Sequence, residues 1–156
     1  MNILVDADAC PKTVKEILFR VAERTQITVT LFANHSLSIW PSRYIKFIQV
    51  QSGFDVADKE ILVRLNIGDL VITGDIPLAY EVLEKGGHVI NPRGERYTSE
   101  NIKELLNMRD FMDTLRSSGV DCKSGPAAMT AKDSQMFANQ LDRFLAASVK
   151  VALAQF

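Results

Sequence analysis

Short apolar runs alternate with helix-length amphipathic segments through the first 97 residues of this chain. That rhythm constrains the fold most, because strand–helix–strand repeats bury their apolar faces by building a parallel sheet covered with helices. Asn2–Val5 is apolar and stops at Asp6, and Pro11 stands where a helix N-terminus tolerates it. Val14, Ile17, Leu18, Val21 and Ala22 then form one helical face. Ile27–Ala33 is rich in β-branched residues and predicts a second strand. A looser stretch, His35–Arg43, carries the only Trp, and the alternating run Tyr44–Gln51 predicts a third strand. A helix over Asp55–Leu65 and an apolar strand, Leu70–Thr73, ending at Gly74-Asp75, come next. A helix over Pro77–Lys85 is stopped by Gly86-Gly87, and His88–Ile90 is a short strand.

The last third reads as helical. Thr98 caps a segment with Ile102, Leu105, Leu106, Met112 and Leu115, and the stretch Ser117–Thr130 interrupts it. Thr130 with Asp133 resembles a capping box before a helix bearing Phe137, Leu141, Phe144 and Leu145. The expectation is one α/β/α domain over 1–156: a strand–helix core over about 1–97 and a helical extension over about 98–156. With 47% hydrophobic and 24% charged residues, the chain is neither disordered nor collagen-like. No apolar run approaches the ~18 residues of a membrane span. Carboxylates occupy the place of a signal peptide's apolar stretch. Cys10 and Cys122 are too few for a disulfide scaffold or a Cys-built zinc site. These features predict a soluble cytoplasmic protein with free thiols, and a homo-oligomer is compatible with the sequence but not readable from it.

Ligands of open parallel sheets bind beyond the carboxyl ends of the strands. Asp6 and Asp8 follow the first strand, and strand alternation projects both to the same side. Asp75 follows the LVIT strand. In the intervening helix, Asp58 lies within about 20° of Leu65 and about 40° of Leu62 on the helical wheel, inside the core-facing stripe. Asp55 is about 60° to one side. Capping explains where Asp55 and Asp58 stand along the helix, but not the inward phase of Asp58. Carboxylates converging this way repel one another, and a hard cation such as Mg²⁺ or Mn²⁺ relieves the conflict. Such a cluster activates water and stabilises charge on a phosphodiester.

Six ordered motifs, VDADACP, GFDVADKEI, GDLVITGDIPLA, NPRGERYT, MRDFMDTLR and FANQLDRFL, run over essentially the whole chain. They resemble the YaiI/YqxD family of bacterial proteins, usually grouped with the PIN-like nucleases. The resemblance implies a Rossmann-like (PIN-like) α/β/α fold that gathers acids at one sheet edge around Mg²⁺ or Mn²⁺. By that resemblance, Asp6 is the acid after strand one and Asp75 the acid of the Thr-x-Asp segment. Asp58, or alternatively Asp55, is the helix acid, and Asp8 is a feature of the family itself. The expected activity is metal-dependent phosphodiester cleavage, on RNA, with Asp6, Asp8, Asp58 and Asp75 as catalytic and metal-binding residues and Asp55 as an outer ligand. A catalytically silent module binding metal or nucleic acid is the alternative from another class.

The start of the chain also resembles a haloacid-dehalogenase-type phosphatase, in which Asp6 would be nucleophile and Asp8 acid/base. Cys10 stands where that family favours Thr or Val, Ala79 where it favours a second Asp, and no lysine motif precedes it. Arg93, Arg96, Arg109 and Arg116 are candidate phosphate contacts, each with a solvated surface role as the alternative. Trp40 and Tyr44 are candidate base-stacking residues, with packing as the alternative. Cys10, beside the acids at a helix start, has either a lowered pKa or a packing role. His35 and His88 are read as loop and strand-edge residues, and aspartates 69, 110, 113, 121, 133 and 142 as structural.

A net charge of −1 argues against a whole-surface polycation. Taking the five clustered aspartates out of the 19 acids leaves 14 against 18 Lys+Arg, a remainder of +4. The balance fits a mildly basic protein with one concentrated acidic site, which permits a phosphate-rich substrate without requiring one.

Overall fold

The β-branched run predicted as the second strand is a strand, β2 (Val29–Ala33), buried at every position. It lies inside a six-stranded sheet in the computed structural model, which describes residues 1–53, 55–117 and 129–154. The other strands are β1 (Ile3–Asp6), β3 (Ile45–Gln49), β4 (Leu70–Ile72), β5 (His88–Ile90) and β6 (Arg96–Tyr97), in the order β3-β2-β1-β4-β5-β6. All neighbours pair in parallel except β5 and β6, which are antiparallel. Five α-helices are found among the described residues: α1 (Lys12–Thr25), α2 (Val56–Arg64), α3 (Ile76–Glu84), α4 (Ile102–Ser117) and α5 (Ala131–Ala154).

Strand alternation divides the core in two. Ile3, Val5, Leu70, Ile72 and Ile90 face α1 and α5, whereas Leu4, Val71 and Val89 face α2, α3 and the start of α4. The result is a three-layer α/β/α, Rossmann-like arrangement. Right-handed crossovers require helices on opposite faces when the chain runs outward from β1 in one direction and then from β4 in the other. The reversal falls between β1 and β4, the crevice where such sheets bind ligands.

The C-terminal helices fold back onto both layers. Ile102 and Leu105 of α4 join the α2–α3 side. Phe137, Leu141, Phe144 and Leu145 of α5 are buried beside α1, each worth about 1.5–3 kcal/mol of apolar burial. The capping box before α5 forms as expected: Asp133 N–H donates to Thr130 Oγ1, and Thr130 N–H donates to Asp133 Oδ2. Strand β6 was not expected. The intervening turn is wound around Asn91, whose Oδ1 accepts the N–H groups of Arg93 and Glu95. Cys122, Asp121 and most of the Ser117–Thr130 stretch lie outside the described residues. Among the described residues, no helix is long and apolar enough to cross a membrane.

Candidate functional site

The β1–β4 register sets the site. Val5 pairs with Ile72, so the next residues, Asp6 and Thr73, emerge side by side at the carboxyl edge. Thr73 Oγ1 donates to Asp6 Oδ2 at 3.0 Å and accepts the Asp75 N–H at 3.0 Å. Asp75 then caps α3, its Oδ1 accepting the Leu78 N–H at 3.0 Å. One buried hydroxyl therefore ties together the two acids expected at the strand ends.

Asp6 is partly buried, and burial raises its pKa. The Thr73 hydrogen bond opposes that shift, and the nearby Asp75 and Asp8 charges add to it. Asp58, in the first turn of α2, is pushed up to about 7, chiefly by burial, then by the fields of Asp75, Asp6 and Asp55. A hydrogen bond with the Asp55 carboxyl acts in the same direction. Asp55 sits at the N-cap of α2 in the left-handed region (φ 61°) and makes no side-chain cap hydrogen bond. Capping therefore does not account for its carboxylate. Asp6, Asp55 and Asp75 all act electrostatically on Asp58, and Asp75 acts on Asp6, so acids from three separate segments share one field.

Asp8 departs from expectation. The chain leaves β1 at Asp6 into a single 3-10 turn, Ala7–Ala9, which ends the strand alternation that was to align Asp8 with Asp6. The Asp8 carboxylate instead accepts the Asn34 N–H at 3.1–3.2 Å and lies 3.0 Å from His35 Nδ1. Its charge still acts on Asp6. Among the described residues, no three His, Cys, Asp or Glu side chains come together as a ready-made ligand group for a metal ion.

The arginines separate. Arg93 Nη1 lies 3.0 Å from Asp133 Oδ2, in a cleft of about 400 Å³ at the carboxyl edge whose walls include Ala9 and Gly74. Arg96 begins opposite Ile90, but its guanidinium extends along the sheet to His88 Nδ1 (3.1 Å) and over the Phe144 ring (5.3 Å). His88 starts β5 at the amino edge, so the Arg96 side chain is directed away from the acids, drawn by a ring and an imidazole. Arg109 is exposed on α4, and the Arg116 side chain lies outside the described ones.

Cys10 packs in the core, and burial pushes its thiol up to about 12, as the packing role requires. Tyr44 packs against the α1-side core, and Trp40 contacts Phe19 with 39% of its surface exposed. Asp69, read as structural, is buried and accepts the N–H groups of Asn2 and Asn66 at 2.9 Å. Thr73 and His35 were missed as site residues. The Thr-x-Asp spelling was the available signal for Thr73, whereas nothing in the sequence linked His35 to Asp8.

A family profile described as "Uncharacterized BCR, YaiI/YqxD family" matches residues 4–147. A UPF0178 protein of Shewanella woodyi is 66% identical over 93% of this chain and 95% of its own length. A UPF0178 protein of Pectobacterium carotovorum is 60% identical over 93% of this chain and 96% of its own, and one of Halorhodospira halophila is 63% identical over 94% and 96%. No solved structure matches the chain.

Proposed function

We propose a hydrolytic role for this chain, which belongs to the YaiI/YqxD family: a cytoplasmic, PIN-like, Mg²⁺- or Mn²⁺-dependent phosphodiesterase acting on RNA. The observation that carries this reading is the convergence of Asp6 and Asp75, tied through Thr73, with the first-turn acid of α2, Asp58. The Asp58 carboxyl is pushed up to about 7 by burial and by Asp75, Asp6 and Asp55, at the crevice where strand order reverses. A carboxyl perturbed by burial and by acids from other segments, at a binding crevice, is the physical signature of a candidate functional site.

The donor set fits a hard divalent cation by charge and by chemistry, since the acids supply only oxygen ligands. Asp6, Asp58 and Asp75 would hold the ion, with Asp8 and Asp55 at the rim. When bound, Mg²⁺ or Mn²⁺ activates water and stabilises charge on the phosphodiester. Thr73 fixes the orientation of Asp6 and of the Asp75 backbone. Asp58, its carboxyl pushed up to about 7, would lose its proton more readily if a cation were held beside it. Arg93, which lines the cleft at the same edge, would contact a phosphate there.

The second reading is a catalytically silent module of the same fold that binds metal or nucleic acid without turnover. Incubating single- and double-stranded RNA and DNA with Mg²⁺ or Mn²⁺ tests the enzyme. Cleavage by wild type and its loss in Asp6→Asn and Asp75→Asn are expected. No cleavage, or equal cleavage by the variants, rejects the enzyme, and a metal-induced rise in melting temperature without hydrolysis favours the module.

A further inference from the structure

The loop between β2 and β3 does more than connect strands. Its first residue, Asn34, donates its N–H to the Asp8 carboxylate, and Leu37 and Ile39 pack against the α1-side core. Between this loop and α1 lies a cleft of about 420 Å³, lined by Lys12, Lys15, Glu16, Phe19 and Trp40 among others. Trp40 contacts Phe19, with ring centroids 5.4 Å apart, which limits the indole's freedom while leaving it 39% exposed. Lys12 and Lys15, at i and i+3, share one face of the first turns of α1. Neither forms an ion pair with a described residue.

We propose that this cleft is a nucleotide subsite for single-stranded RNA: Trp40 stacks on a base, and Lys12 and Lys15 hold flanking phosphates of a strand running toward Asp8. A held aromatic ring beside two cations is how proteins grip single strands without reading sequence. Glu16, the acid in the lining, is an acceptor for a ribose hydroxyl, which an RNA strand supplies. The anchoring of the loop on Asp8 joins the subsite to the acidic cluster. The inference deepens the phosphodiesterase reading and rests on it for its purpose, but binding here needs no cleavage.

Trp40 is the only Trp of the chain, so indole fluorescence reports on the subsite directly. The full-length protein is titrated in EDTA with a fluorescein-labelled ten-nucleotide single-stranded RNA, its duplex and inorganic phosphate. Fluorescence and anisotropy are read together. The single strand should bind and quench Trp40, while the duplex and phosphate leave it unquenched. Trp40→Ala should weaken single-strand binding by about five- to a hundredfold, and Trp40→Phe should largely restore it. Lys12→Gln and Lys15→Gln should each lower the slope of log affinity against log salt by about 0.7.

Absent binding, binding without quenching, equal quenching by the duplex, or an unchanged affinity of Trp40→Ala overturns the subsite. Cleavage is followed separately with Mn²⁺. Quenching without cleavage upholds the subsite and rejects the phosphodiesterase, whereas cleavage indifferent to Trp40→Ala does the reverse.

Discussion

The Thr73 hydroxyl donates to Asp6 Oδ2 at 3.0 Å, across the junction of β1 and β4. It also accepts the Asp75 N–H, so one side chain fixes both strand-end acids. Thr73→Val keeps the shape but removes both interactions, leaving a partly buried N–H without its acceptor. The expected loss is about 1–3 kcal/mol in urea denaturation. An NMR titration should also show the Asp6 pKa raised further, because the lost hydrogen bond had lowered it. Thr73→Ser should behave as wild type in both measurements.

Asp58 makes stability depend on pH with a definite sign. Its folded pKa, about 7, lies above the ordinary 3.8, so the native state binds the proton more tightly. Its contribution is therefore favourable at low pH and is lost as pH rises from about 4 through about 7. Asp58→Asn should melt at a higher temperature than wild type at pH 8 and at nearly the same temperature at pH 4. Saturating Mn²⁺ should erase or reverse the difference at pH 8.

Two glycines with nearly the same φ separate conformational strain from close approach. Gly94 (φ +91°) sits where a Cβ would lie 2.5 Å from the Met136 carbonyl carbon and 2.7 Å from Phe137 N, whereas Gly68 (φ +90°) has nothing within 4 Å. Gly68→Ala should cost about 1–2 kcal/mol from the left-handed conformation. Gly94→Ala adds a collision with the α5 backbone and should cost clearly more, as read from denaturation midpoints. Equal losses would mean that the turn does not press on α5.

A buried thiol pushed up to about 12 is a poor nucleophile at neutral pH. Cys10 should resist alkylation in the native protein and react on unfolding, as followed by peptide mass spectrometry.

Local composition made most of the fold legible. Apolar and β-branched runs gave β1, β2 and β4, and the Val14–Ala22 stripe gave α1, because burial on a sheet imposes those periods. Strand β6 escaped because its two residues, Arg96 and Tyr97, pair only through a turn organised by Asn91. That Asp6, Asp58 and Asp75 stand near one another was legible from their places at strand ends and in a helical stripe. The Thr73 bridge was not, since it depends on the Val5–Ile72 register across 67 residues. Asp8 was misoriented because the alternation rule was carried one turn past the end of β1. Arg96 was assigned by position alone, and its long side chain follows the Phe144 ring instead.

The claim at the centre is that Asp6, Asp58 and Asp75 jointly hold a divalent cation. Calorimetric titration with Mn²⁺ at pH 8 and pH 6 tests it most directly. Binding should be tighter at pH 8, with proton release at pH 6 as Asp58 ionises, and should fall at least tenfold in Asp6→Asn and Asp75→Asn. Mn²⁺ affinity that is independent of pH and equal in wild type and both variants would contradict it.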